Sequence, residues 1–250
     1  MIRTIAAHEL RTLFVTPLGW CVLVTFQIIN AWMFLVLVEE YLGLQGQIAG
    51  TESTVGVTDL VIAPMFRLSS WFLLLIVPLL SMRSFAGERR NRTLPLLLSA
   101  PVSVGQLVVG KYLGLLGFLA ILLTPLLSMP LSLYLGASLD TGKLLAGLLG
   151  LVLMAASFAA LGLYVSSLAT QPAVAAFGTL GALLLCWLVD AAVTTEQNNM
   201  LASLSLLRHF EQLASGVFQS SNLVFPIIFI LTFLGLSIHQ LDHERRGSQR

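Results

Sequence analysis

Charge is scarce in this sequence. Asp, Glu, Lys and Arg make up 10% of its 250 residues, against roughly 25% in a soluble domain, which excludes an ordinary water-facing surface. Net charge is +1, so the broad basic field of a nucleic-acid binder is missing and no nucleic-acid partner is expected. Cysteine is nearly absent: Cys21 and Cys186 both fall inside apolar runs, which excludes a disulfide scaffold and leaves them as small packing residues. No run shows the ten-residue alternation of an outer-membrane barrel strand. The N-terminus has two arginines but no short apolar core with a small-residue exit, so a cleavable signal is not expected and the first apolar run should be retained.

What the chain has instead is apolar residue in long runs, 57% of the total. About 20 apolar residues cross the roughly 30 Å hydrocarbon layer as a helix. Six runs qualify, at about 18–38, 60–82, 107–135, 144–168, 173–193 and 223–240. The third is long enough to tilt, or to break near Pro125 and Pro130. The expected fold class is all-α, one polytopic membrane domain over 1–250 with six transmembrane helices.

With an even number of spans, Arg3, Arg11, Arg83, Arg89, Arg90, Arg92, Lys111, Arg245, Arg246 and Arg250 fall on one face, and only Arg67, Lys143 and Arg208 on the other. That asymmetry places both termini in the cytoplasm. Two segments outside the spans carry helical periodicity. Ile2, Ile5, Ala6, Leu10 and Leu13 form a stripe with Arg3, His8, Glu9 and Arg11 on the other faces, an amphipathic helix suited to the cytoplasmic interface. Leu201, Leu204, Leu207, Phe210, Leu213, Ala214 and Val217 form a second, external stripe, expected on or in the outer leaflet. Residues 39–59 read as a Gly- and Thr-rich external loop, and 169–172 as a tight turn with Pro172 opening the next helix.

Few motifs for chemistry survive inspection. Gly105 to Lys111 matches G-x4-G-K, but Tyr112 stands where magnesium needs Ser or Thr, and no strand precedes it. Lys111 is therefore read as the cytoplasmic end of the third span, its ammonium snorkelling to the interface. His8-Glu9 begins H-E-x-x-H, but Thr12 replaces the second histidine. His239 and His243 are four apart in a charged tail, more consistent with solvation than with metal. No G-x-S-x-G motif occurs. No catalytic residue, metal site or cofactor is expected in this chain. Polar residues within spans are few, and a mid-membrane charge costs about 3 kcal/mol on insertion scales. Its avoidance disfavours an ion-coupled carrier. Gln27 and Asn30 share a helix face that could line a translocation path or join two subunits, with simple helix–helix hydrogen bonding the alternative. Gly110, Gly114 and Gly117, Gly147 and Gly150, and Gly178 and Gly181 supply close-packing faces.

The segment 82–111, MRSFAGERRNRTLPLLLSAPVSVGQLVVGK, is the most informative. It separates two spans on the basic face, and Phe85, Leu94, Leu96, Leu97, Leu98, Val102 and Val104 interleave with its charges. A solvated tether has no use for that apolar surface, whereas a short helix seated in a partner's groove does. The segment resembles the loop of type-2 ABC exporter permeases, and within them the gliding-motility (GldF-like) branch. Met82-Arg83-Ser84-Phe85, Glu88-Arg89-Arg90, Thr93-Leu94, Leu96-Leu97-Leu98, Pro101-Val102-Ser103 and Gly110-Lys111 fall in step with that family's M-R-S-F-x-E-E-[KR]-x-x-G-T-x-E-L-L-L-T-x-P-[VIL]-S and following L-G-K. His8-Glu9-Leu10 with Thr16-Pro17-Leu18-Gly19 resembles its K-E-L and S-P-x-G. Arg208-His209-Phe210-Glu211 with Gly216-Val217 resembles its external H-F-x5-G-[VI]. Arg92 stands where the family usually has Gly, and Pro95 where it has Glu.

The resemblance implies a six-helix permease subunit of an ATP-driven transporter in the bacterial inner membrane. It implies pairing with a second permease copy or paralogue and with a cytoplasmic ABC ATPase dimer that carries the ATP and magnesium. An external auxiliary protein of the GldG type is a further implied partner, besides membrane lipid. Arg83, Phe85, Glu88, Arg89, Arg90, Thr93, Leu94 and Pro101 would form the ATPase-docking loop, coupling hydrolysis to export or to work on an external partner. A stand-alone carrier or channel, or the scaffold of a motility or assembly machine, are the alternatives. The topology is directly testable. With the native cysteines replaced, an impermeant thiol reagent should label Ser53→Cys in intact spheroplasts and Ser248→Cys only after lysis.

Overall fold

A computed structural model describes residues 1–48, 56–99, 102–134, 139–192 and 205–247, and every regular element among them is helical. In chain order they are α1 (Ile2–Val15), α2 (Pro17–Ile48), a π-helical turn (Thr58–Ile62) that continues into α3 (Ala63–Ser81), α4 (Ala86–Arg90), α5 (Leu94–Ser99), α6 (Val104–Leu133), α7 (Thr141–Leu168), α8 (Pro172–Ala192), α9 (Leu206–Ala214) and α10 (Ser220–Gly247). Among the described residues, α2, α3 with its π turn, α6, α7 and α10 are long and apolar enough to cross a bilayer, and α8 adds a shorter apolar helix. The chain is a multi-pass membrane protein.

Three elements differ from their sequence-based expectation. First, α2 does not stop near residue 38. Glu39, Glu40, Tyr41 and Leu42 continue the helix to Ile48, because Glu, Leu and Gln propagate a helix once it is nucleated. The expected loop at 39–59 is thereby shortened, and 49–55 lie outside the described residues. Second, α6 does not take the break that is one of its two expected alternatives and runs unbroken through Pro125 and Pro130. The Thr124, Ser128 and Ser132 hydroxyls bond within the helix, to the carbonyls of Ala120, Pro125 and Met129. Third, the external stripe condenses into the short α9. Leu206, Phe210 and Leu213 are buried by the chain itself rather than offered to lipid, while Val217 stays exposed. Leu201 and Leu204 lie outside the described residues.

α7 is the central helix, packed against α3, α6, α8, α9 and α10. Its small residues make this possible. A Cβ on Gly147 would stand 2.8 Å from the Phe66 ring, and one on Gly150 3.1 Å from Leu213 Cβ, so the two glycines form the notch in which α3 and α9 lie. Gly178 of α8 packs against Val165 of α7, whereas Gly181 has open space beside it. The Tyr112 hydroxyl of α6 donates to the Ala156 carbonyl of α7 at 3.1 Å. At one end of the bundle, Lys143 Nζ reaches both Asp59 carboxylate oxygens (2.8 and 2.9 Å), and its stem lies across Gly216. Gly216 holds φ +84° as the left-handed cap of α9, with Val217 N–H donating to the Gln212 carbonyl and Gly216 N–H to that of Leu213, a Schellman closure. Within this end, buried His209 stacks on Phe225 and lies 2.8 Å from the Asn222 side chain.

At the opposite end, α1 packs on α6. The expected stripe of Ile2, Ile5, Ala6, Leu10 and Leu13 is its less exposed side. Glycines again set the distance. A Cβ on Gly110 would stand 2.8 Å from the Ile5 side chain, and one on Gly114 2.7 Å from Glu9 Cβ and 2.8 Å from the Ala6 carbonyl oxygen. Gly114→Ala should therefore push α1 off α6 and destabilise the protein by about 1–3 kcal/mol. Gly181→Ala, which meets open space, should be neutral or stabilise by up to roughly 1 kcal/mol through helix preference. Unfolding midpoints of the two variants in detergent test the contrast.

Candidate functional site

The segment between α3 and α6 folds back onto the bundle at the end where α1 and the last turns of α10 meet. Its centre is Lys111, whose side chain is only 4% exposed. The ammonium lies 2.9 Å from Glu9 Oε2 on α1 and 2.7 Å from Glu88 Oε1 on α4, and 5.4 Å from the centre of the Phe85 ring. The second Glu9 oxygen accepts the Ser84 hydroxyl at 3.0 Å. Glu88 Oε2 is buried and receives no hydrogen bond from the described residues. One ammonium thus serves two carboxylates from different parts of the chain. Lys111 does not snorkel to the interface. The glycine-lined approach of α1 brings a carboxylate to it and removes the need. Glu9, expected on the polar side of α1, is turned inward for the same reason.

α4 is held from a second side by α7. The Ser166 hydroxyl oxygen accepts the backbone N–H groups of Phe85 and Ala86, both at 3.2 Å, and donates to the Met82 carbonyl at 3.3 Å. A hydroxyl can fill this triple role, one donor and two acceptor directions, and here it caps a helix that lacks a capping side chain of its own. Arg89 points the other way. Its Nη2 lies 2.7 and 2.8 Å from the two Glu244 oxygens on α10 and 2.8 Å from the Ser167 carbonyl, while Nη1 reaches the Leu168 carbonyl at 3.4 Å. The guanidinium therefore satisfies orphan carbonyls at the C-terminus of α7, where a cation is also favoured by the helix dipole. Five residues of helix are tied to α6, α7 and α10, and through Lys111 and Ser84 to α1.

α4 ends in a Schellman closure. Thr93 N–H donates to the Glu88 carbonyl at 2.9 Å and Arg92 N–H to that of Arg89 at 3.1 Å, with Arg92 at φ +57°. That left-handed position favours glycine, and arginine there costs about 1 kcal/mol. This is the point at which the resembling sequences carry Gly, and nothing in the structure explains the arginine. Pro95 falls in the first turn of α5, where its missing N–H is tolerated.

The structure divides the loop residues singled out from sequence into two sets. Phe85 and Leu94 are buried, and Glu88 and Arg89 are engaged inside the protein. Arg83, Arg90, Arg92 and Thr93 face outward, together with Leu96, which is 71% exposed. Pro101 lies outside the described residues. Of the apolar residues interleaved in the loop, Phe85, Leu94 and Val104 complete the chain's own core, and Leu97 packs against it. Gln27 and Asn30 are taken up by neighbouring helices. Gln27 Nε2 donates to the Leu122 carbonyl at 2.7 Å, and buried Asn30 accepts the Ser69 hydroxyl at 2.6 Å. His239 and His243 are exposed, while Asp242 pairs with Arg246 and Glu244 with Arg89. Glu9, Ser166 and Glu244 are the residues of this site that pattern reading missed. Each looks ordinary in its own segment: Glu9 is found only from the charge of buried Lys111, Ser166 from the uncapped start of α4, and Glu244 from Arg89.

Removing one partner from a buried ion pair leaves a bare charge and costs about 3–5 kcal/mol. Lys111→Met should incur a loss of that order in detergent unfolding. The triple variant Glu9→Gln, Glu88→Gln, Lys111→Met should recover most of it, since no uncompensated charge then remains. A Lys111→Met loss of less than about 1 kcal/mol would mean that the cluster is not held away from water.

Residues 3–244 match the family model described as ABC-2 family transporter protein. No curated protein matches the chain. That family supplies membrane subunits of ABC transporters, which work with a partner ATPase, and the match spans every helix of the junction from α1 to Glu244. On the agreement of polytopic helical fold and near-complete match, the chain belongs to the ABC-2 transporter family.

Proposed function

We propose that this permease subunit couples ATP hydrolysis in a separate cytoplasmic ATPase dimer to export, or to work on an external partner, through the loop built around α4 and α5. The observation that carries the reading is the two-sidedness of that loop. Its inner side, Phe85, Glu88, Arg89 and Leu94, is joined to α6, α7 and α10, and through Lys111, which also binds Glu9, to α1. Its outer side presents Arg83, Arg90 and Arg92 beside Thr93 and Leu96. A push on the outer side reaches α1, α6, α7 and α10 together, because ion pairs and buried aromatic surface leave α4 little freedom to move alone. Guanidinium groups beside an exposed leucine suit an ATPase groove lined by carboxylates around an apolar floor.

In this reading ATP and magnesium are held by the partner, and both termini face the cytoplasm of a bacterial inner membrane. The apolar outer face of α2, with Trp20, Ile28, Trp32 and Leu35 exposed, is left for lipid and for a second permease copy or paralogue. The likeness of the loop to the gliding-motility branch supports an external auxiliary protein as a further partner.

Affinity isolation from native membranes, followed by mass spectrometry, should recover a P-loop ATPase. Arg90→Glu with Arg92→Glu and Leu96→Glu should lower that recovery at least about tenfold, the effect of losing roughly 1.4 kcal/mol, with the unfolding midpoint unchanged. Undiminished recovery with the triple variant would sink the outer face as the docking surface.

A further inference from the structure

The last two turns of α10 take part in the same junction, and the proposed reading of the loop leaves them without a role. Leu241 and Ser237 are buried there, and Ile238 packs 3.8 Å from the position a Cβ on Gly105 would take. The helix end is therefore fixed to the bundle before the chain reaches Glu244. From that fixed base two consecutive residues reach in different directions. Glu244 takes Arg89 Nη2 between its two oxygens at 2.7 and 2.8 Å, with Gln240 Nε2 supporting one of them from a turn earlier at 3.4 Å. Arg245 donates through Nη1 to the Val102 carbonyl at 3.2 Å. Arg89 is on the outgoing limb of the loop. Val102 is on the returning limb, immediately before Ser103, whose hydroxyl caps α6 by accepting the Gln106 N–H.

We infer that Glu244 and Arg245 are positioning residues that clamp the two limbs of the 89–102 loop, so that the C-terminal helix end sets the posture of the surface offered to the ATPase. The clamping itself rests on the geometry. Its consequence for coupling rests on the proposed reading of the loop. Partly exposed ion pairs contribute little to global stability, so the effect is local: releasing one limb raises the frequency with which α4 opens without unfolding the bundle. Arg246, which pairs with Asp242 on the exposed side of the same helix, is the internal control.

The experiment is hydrogen exchange by mass spectrometry on the full chain in lipid nanodiscs, comparing wild type, Glu244→Ala, Arg245→Ala, Arg89→Ala, the Arg89/Glu244 double variant and Arg246→Ala. Glu244→Ala should speed exchange over 86–93 by about fivefold, a local opening of the kind expected when one tie is cut. Arg245→Ala should do so over 102–107. The double variant should exchange no faster than Arg89→Ala alone, since the two side chains share one interaction. Arg246→Ala and the spans should not change. Unaltered exchange over 86–93 in Glu244→Ala, or additive effects in the double variant, would overturn the clamp. ATPase stimulation by the same variants, measured with the P-loop ATPase recovered by affinity isolation, separates the two ideas. Faster loop exchange with unaltered stimulation upholds the clamp and removes the loop from ATPase coupling, whereas unaltered exchange removes the clamp and leaves the docking face standing.

Discussion

The junction at the basic end of this protein depends on one buried ammonium. Lys111 has almost no contact with solvent, so its charge must be met inside the protein or the third long span could not keep it there. Meeting it requires Glu9 and Glu88 at 2.9 and 2.7 Å, and each demand propagates. Glu9 can reach only if α1 lies directly on α6, which Gly110 and Gly114 permit. Glu88 can reach only if the chain after α3 turns back as a short helix, which Ser166 caps and Arg92 terminates. The Phe85 ring then fills the remaining side of the ammonium. Pairing two carboxylates with one lysine roughly offsets the hydration that all three give up, so the cluster contributes more to geometry than to stability.

The same end of the bundle shows how a segment of some twenty residues is made rigid without a core of its own. α4 has five residues and α5 has six, far below the length at which a helix in water sustains itself. Their order comes from outside: a hydroxyl cap from α7, a guanidinium seated on the carbonyls that end α7, a carboxylate from α10 and the buried lysine of α6. The basic residues that remain, Arg83, Arg90 and Arg92, project from a platform whose underside is fully occupied. In the proposed reading this arrangement suits a force applied from outside, since a loosely tethered loop would absorb the displacement instead of passing it on. The opposite end uses the same physics with the polarity changed. Lys143, Asp59 and the left-handed Gly216 bind α9 to the notch on α7, and the amphipathic helix becomes part of the bundle rather than a resident of the lipid surface.

Much of this was legible in the residues. Scarce charge and long apolar runs specified a helical membrane protein, because no other use of such runs satisfies the backbone in lipid. The segregation of basic residues to one end, the stripe on α1, the opening of α8 by Pro172 and the presence of a basic, partly apolar segment before α6 followed from composition and from the 3.6-residue period. Those properties are local, or are sums over the chain, and survive without knowledge of which helices touch. The continuation of α2 past Glu40 was less legible, since two glutamates and a glycine read equally as a loop or as a solvated helical extension.

What the tertiary structure alone decided is direction. Glu9 and Lys111 stand 102 residues apart in sequence, and Arg89 and Glu244 are 155 apart. Nothing in either local pattern says that these charges face inward. A charged side chain in an amphipathic stretch defaults to solvent, and it turns inward only when a distant element brings the opposite charge close enough to repay the loss of hydration. That is a property of the assembled bundle. The sequence by itself determined that a basic, partly apolar loop exists between the second and third long spans. The fold determined that part of its apolar surface and two of its charges belong to the protein's own interior, because buried Lys111 takes up Glu88 while Glu244 and the end of α7 take up Arg89.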